Sequence, residues 1–211
     1  NGSVRFELER NENLGPPLQA ALRIVEGAVQ RCGVSWADGI AVAGAAAVEA
    51  AGGPRIDVRL GRRDAAQADP AGLLPAGGFT ADDIRAYFRA RGFTAEETVA
   101  LCGAHTLGRW TSFIGVSKDC LSKDDDDELW RCSRQEGRRL PFTSSPESFD
   151  AGYFQAVAEA YRRRSAAPPR GRWKDRKEDD DLPRLYLLPS DNALMSDEAF
   201  RAIVLRFAGD R

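Results

Sequence analysis

The chain's only histidine, His105, stands in the stretch VALCGAHTLGR, flanked by Gly103 and Gly108 and followed at once by Thr106. A neutral imidazole can ligate a metal through one ring nitrogen, move a proton, or sit in a core with one nitrogen satisfied. Metal-bound histidines usually donate their second N–H to a carboxylate, which fixes the tautomer and makes the ligand more electron-rich. The late segment LLPSDNALMSDEAF offers such a carboxylate at Asp191, in a turn-like PSD. Gly103 and Ala104 take bulk away from the approach to His105, as a ring facing an internal cavity would require. Spacing alone does not bring Asp191 to His105, so a packed, half-buried histidine stays open as the alternative.

The other chemistry-bearing side chains are four cysteines, Cys32, Cys102, Cys120 and Cys132. They lack the paired C-x-x-C spacing of a structural zinc site. Cys120 and Cys132 bracket the acidic stretch LSKDDDDELWR, and would either close it as a disulfide in an oxidising compartment or stay free thiols in a reducing one. Cys102 falls at the end of a predicted helix, where the helix dipole disfavours a thiolate. Packing explains it better than redox sensing.

Helices must position these residues. PPLQAALRIVEGAVQRCG sets Leu18, Ala21, Leu22, Val25 and Val29 on one stripe, with Gly33 as a stop. SWADGIAVAGAAAVEAAGGP opens on Ser35 with Asp38 three residues on, ends in Gly-Gly-Pro, and reads as a buried helix. TADDIRAYFRARG and TAEETVALCG each open on a threonine with an acid three residues on. SPESFDAGYFQAVAEAYRRR and SDEAFRAIVLRFAG complete the helical set, and RIDVRL and RLYLL are short strand candidates. The predicted fold is mainly α, a single domain over residues 1–211. Two charged insertions, about 118–139 and 162–184, carry the runs KDDDDE and RKEDDD and read as solvated loops or as docking sites for a basic partner.

Thirty Lys and Arg against 32 Asp and Glu give a net charge of −2, so no global field draws the protein to nucleic acid. The most apolar run, IAVAGAAAVEAA, is too short for a bilayer span and carries Glu49. The chain opens at Asn1 without an initiator Met or a signal-like stretch, and the expectation is that sequence upstream was cleaved or is not represented.

ETVALCGAHTLGR and LPSDNALMSDEAF closely resemble the proximal-histidine and proximal-aspartate motifs of the haem peroxidases. SWADGIAVAGAAAVEAAGGPRIDVRLGRRDA and SSPESFDAGYFQAV are similar to segments of the intracellular branch, the ascorbate and cytochrome c peroxidases. The resemblance implies a haem-peroxidase-like helical fold with haem b as cofactor, His105 as axial iron ligand and Asp191 as acceptor of its other N–H. Phe142 falls where that branch usually has a tryptophan, and a phenyl ring is much harder to oxidise than an indole. Thr106, Thr143, Ser145, Ser148 and Asp150 match a loop that binds a cation in some members, with oxygens suited to potassium or calcium.

The departures lie on the other face of the haem. The family's distal arginine and histidine, which handle the peroxide proton and stabilise developing charge, are not present in this chain, and no catalytic residue is assigned. Gly15 stands where relatives carry a supporting asparagine, and Glu9 matches the acid that accompanies it. Two readings follow. With a distal R-x-x-x-H helix upstream, the protein is a peroxidase that uses hydrogen peroxide and a small electron donor. Without one, it is a non-catalytic subunit or scaffold of an organellar, photosynthetic complex, docked through its charged insertions. Localisation is expected in an organelle, the chloroplast ahead of the mitochondrion, or in the cytoplasm.

Overall fold

The first and fourth positions of the two threonine–acid patterns decide where their helices start. Thr80 and Thr94 each accept a hydrogen bond from the backbone N–H three residues on, and Asp83 and Glu97 return the bond to the threonine N–H. These reciprocal pairs satisfy donors that the first turn leaves without partners. A computed structural model describes residues 1–10, 13, 16–112, 138–166, 185 and 187–209. Seven α-helices are formed among them: α1 (Pro16–Cys32), α2 (Trp36–Ala50), α3 (Ala81–Arg89), α4 (Ala95–Cys102), α5 (Gly152–Ala166), α6 (Pro189–Ala193) and α7 (Glu198–Phe207). Short 3-10 turns cover Ser3–Phe6 and Gly103–Thr106, and two strands, β1 (Arg109–Ser112) and β2 (Arg138–Pro141), pair antiparallel. The mainly α expectation therefore holds. No helix among the described residues is long and apolar enough to cross a membrane.

The chain divides into two compact units, one of Asn1–Leu73 and one whose described residues lie between Leu74 and Gly209. In the first, α1 packs on α2 through Leu22 and Val25 and meets it at Gly39, where a Cβ would sit 2.5 Å from Val29 Cγ2. Ser35 caps α2 through the Asp38 N–H, and Asp64 adds a second cap by accepting from the Trp36 and Ala37 N–H groups at 3.0 and 2.8 Å. Asp38 in turn holds Gly61 and Arg62, while Asp69 accepts from Asn1 and Ser3. Carboxylates thus stitch residues 51–73, which have no helix or strand, to the helix and the amino-terminal turn.

Several expectations are corrected in this unit. RIDVRL, residues 55–60, forms no strand. Among the described residues its carbonyls and N–H groups have no neighbouring strand to pair with, and Ile56 and Leu60 are exposed. Nor is α2 buried along its length: only Ala37, Asp38 and Gly39 are, and Val42 is 45% exposed. Its small side chains give one wall of a cavity of about 500 Å³, with Ile56 and Val58 opposite. Ala21, placed on the buried stripe of α1 by its spacing, is also exposed.

The second unit is built on Ile84 of α3, Val99 of α4, Tyr153 and Val157 of α5, Leu194 and Met195, and Phe200 and Val204 of α7. Arg85 pairs with Asp197, the residue that caps α7, and stacks over the Phe200 ring at 4.4 Å. The fifth helix starts at Gly152 rather than near Ser145, because the Asp150 carboxylate accepts the Gly152 N–H. At its other end it runs on to Ala166, so Arg162–Ala166 is helix and not inserted loop. Likewise Arg138 and Arg139 belong to β2. The rest of both insertions, Cys120 and Cys132 with the question of their disulfide, Gly15, and two residues of RLYLL lie outside the described residues.

Candidate functional site

Every residue of the site belongs to the second unit. After Cys102 the chain tightens from α4 into the 3-10 turn Gly103–Thr106, which carries His105. Gly103 is demanded by packing rather than by access to a cavity: a Cβ there would lie 2.7 Å from Phe154 Cζ of α5. That corrects the reading of Gly103 as room for an approach to the histidine.

Asp191 sits in the short helix α6, whose first residue is Pro189, and not in an open turn. Its Oδ2 accepts the Leu188 N–H at 2.7 Å, fixing the carboxylate at the start of its own helix. Its Oδ1 lies 2.8 Å from His105 Nδ1. The structure therefore brings together two residues 86 positions apart. A carboxylate can only accept, so Nδ1 carries a proton, and the neutral ring then has its lone pair on Nε2. Asp191 is 2% exposed, whereas the His105 side chain keeps 34% of its surface open. An anchored, buried Nδ1 side and a more open ring is the arrangement of an imidazole held ready to ligate through Nε2.

Two aromatic rings fix the imidazole plane. Phe142, which follows β2 as that strand returns beside β1, stacks on His105 with centroids 4.4 Å apart and planes 3° from parallel. Tyr153 meets the ring edge-on at 5.7 Å and 80°. It also donates its hydroxyl to Asp191 Oδ1 at 2.9 Å and is wholly buried. Asp191 thus accepts three hydrogen bonds, from an imidazole, a phenol and a backbone amide. Tyr153 was missed at the level of sequence. Its only signal is a tyrosine on the inward face of a predicted helix, where a buried hydroxyl needs a partner.

Burial and the nearby Asp191 charge push the Cys102 thiol up to about 12. It is a packing residue, as its place at a helix end indicates. Burial chiefly, and then Asp191, raise Tyr153 far above an ordinary phenol, so it remains a donor.

The oxygen cluster lies on the far side of Thr106. Its Oγ1 is 3.1 Å from Asp150 Oδ1 and 3.4 Å from the Ser148 carbonyl, and Thr143 Oγ1 donates to the Thr106 carbonyl at 3.2 Å. Thr106 and Thr143 are buried, while Asp150 and Ser148 are exposed. Ser145 is exposed and accepts the Ser148 N–H on its carbonyl. Among the described residues no three His, Cys, Asp or Glu side chains gather as a metal-binding group. Glu9 is exposed in the first unit.

The sequence matches the Peroxidase family over residues 1–210. It is 34% identical to a protein of Arabidopsis thaliana provisionally named L-ascorbate peroxidase 6, over all of this chain and 51% of that protein. It is 33% identical to a provisionally named heme-binding peroxidase of Mycosarcoma maydis, over all of this chain and 60% of the relative. The cytosolic L-ascorbate peroxidase 1 of Oryza sativa subsp. japonica is 31% identical, with 99% of this chain matched to 68% of its length. The chain thus spans about half of the first relative and three-fifths of the second. Other similar proteins are named chloroplastic. A non-catalytic scaffold finds no support among these relatives.

Proposed function

The chain belongs to the peroxidase family, and on that premise we propose that it binds haem b through His105 and serves hydrogen-peroxide-dependent, one-electron oxidation of a small donor. The observation that carries this reading is the 2.8 Å hydrogen bond between His105 Nδ1 and a 2% exposed Asp191. The residues fit the group: the tautomer leaves the Nε2 lone pair for iron, and Phe142 holds the ring plane. When bound, haem supplies the redox chemistry that reduces peroxide and accepts electrons from the donor.

The protein's part is to orient and charge the ligand. Asp191 draws the Nδ1 proton towards itself, which makes Nε2 a stronger electron donor. Leu188 N–H and the short helix keep that carboxylate from turning away. Phe142 offers neither a donor to Asp191 nor an easily oxidised indole, so this position is proposed only to pack against the imidazole. Peroxide's own proton needs an acid–base group that is not assigned among these residues. Ascorbate, named for several relatives, is the first donor to test, and chloroplast and cytosol are both open as compartments.

We further propose potassium or calcium at the oxygen cluster of Thr106, Thr143, Ser148 and Asp150, with Ser145 contributing through its loop. The set is oxygen-only with one carboxylate, a hard-cation pattern rather than a zinc one.

The test of function is peroxide-dependent oxidation of ascorbate by the haem-loaded protein. Turnover that disappears in His105→Ala supports the reading. A loaded protein with no turnover, or one whose turnover survives the substitution, would overturn it.

A further inference from the structure

The proposed haem ligation leaves the hydroxyl of buried Tyr153, beside the His105–Asp191 pair, without a role. Its hydroxyl reaches the same oxygen, Oδ1, that accepts the His105 N–H, at 2.9 Å against 2.8 Å. Two donors on one oxygen compete: each withdraws electron density, and each weakens the hold on the other. The other carboxylate oxygen accepts the Leu188 N–H, so the two side-chain donors both meet the carboxylate at Oδ1. Phe142, stacked on the imidazole, cannot supply a hydrogen bond. Tyr153 is the second side-chain donor to the carboxylate.

We propose that Tyr153 is a positioning residue that shares Asp191 Oδ1 with His105 and so limits how strongly the carboxylate charges the imidazole. It rests on the reading of His105 as the ligand for its purpose, though not for its test. The edge-on ring fixes the direction of the hydroxyl, and the full burial of Tyr153 excludes water from replacing it. With the hydroxyl removed, Oδ1 has one side-chain donor left and pulls harder on the Nδ1 proton.

Because His105 is the only histidine, its ring signals in a nitrogen-15 spectrum need no assignment. The measurement is made on the full chain with no haem added. In the native protein the Nδ1 proton appears downfield, as one shared with a carboxylate. Tyr153→Phe, which keeps the ring, is expected to move that proton further downfield. Val157→Ala, one turn along the same helix and also fully buried, loosens packing without touching the hydrogen bonds and is expected to leave it in place. Should Tyr153→Phe fail to fold, 3-fluorotyrosine at position 153 gives a stronger donor and is expected to move the proton upfield. An unchanged Nδ1 proton in the folded Tyr153→Phe protein, or in the fluorinated one, overturns the proposal. Failure to take up haem would count against the ligand reading alone. On the loaded, reduced protein the same sharing predicts a higher iron–histidine stretching frequency in Tyr153→Phe.

Discussion

At the scale of single residues, Asp191 carries the largest structural consequence. Asp191→Ala leaves the Tyr153 hydroxyl and the Leu188 N–H buried without their acceptor, at roughly 1–3 kcal/mol for each lost partner. Chemical denaturation should therefore show a loss of about 2–6 kcal/mol, and Asp191→Asn a smaller one, since an amide oxygen still accepts. Cys102 offers a contrast. A thiol pushed up to about 12 holds far less thiolate at neutral pH than an ordinary cysteine. Alkylation followed by peptide mapping should modify exposed Cys32 and leave Cys102 intact. Equal labelling would show that the Cys102 pocket opens. His105 was legible as the chain's only histidine, and its partner Asp191 through the resemblance of both motifs to those of the haem peroxidases, not through spacing. Tyr153 was not, since a tyrosine on a helix face looks like core until its hydroxyl has a partner.

At the scale of elements, the legible features were the local ones. Threonine–acid spacing placed the starts of α3 and α4, and Gly33, in the left-handed region at φ 65°, ends α1 where expected. Features made by distant partners were not visible: Asp64 caps α2 from 28 residues away, and β1 pairs with a strand beyond residue 137. The same long-range bonds set a pH dependence. Backbone N–H groups of Gly61 and Ala37 hold Asp38 and Asp64 below the usual carboxylate range, and Asn1 and Ser3 do so for Asp69. Their contribution is fully present above the unfolded carboxylate value near pH 4, and is lost as pH falls through the lower folded values. Thermal melts should be flat from pH 7 to about pH 5 and fall below about pH 4. Asp64→Asn should reduce that fall, and an unaltered acid limb would contradict the role given to the cap. Gly103→Ala tests the other junction, between α4 and α5. The added Cβ meets the Phe154 ring, and overpacking of this kind costs about 1–3 kcal/mol in a denaturant titration.

At the scale of the whole molecule, helical class and family follow from patterns spread along nearly the entire chain, which is why they could be read without coordinates. The exposed face of α2 could not. An apolar run predicts burial only if another element covers it, and composition does not say whether one does. The proposed ligand His105, the Asp191 carboxylate, the stacked Phe142 ring and the buried Tyr153 phenol all come from one unit, between Leu74 and Gly209. Haem uptake is thus a property this chain should show by itself, separable from peroxide turnover by the whole protein. The measurement that bears on it most directly is the absorbance spectrum of the full chain mixed with one equivalent of haem b, beside folded His105→Ala. A Soret band characteristic of histidine-ligated haem in the native chain, lost in the variant and recovered on adding imidazole, is the predicted result. Identical spectra for the two proteins would contradict His105 as the iron ligand.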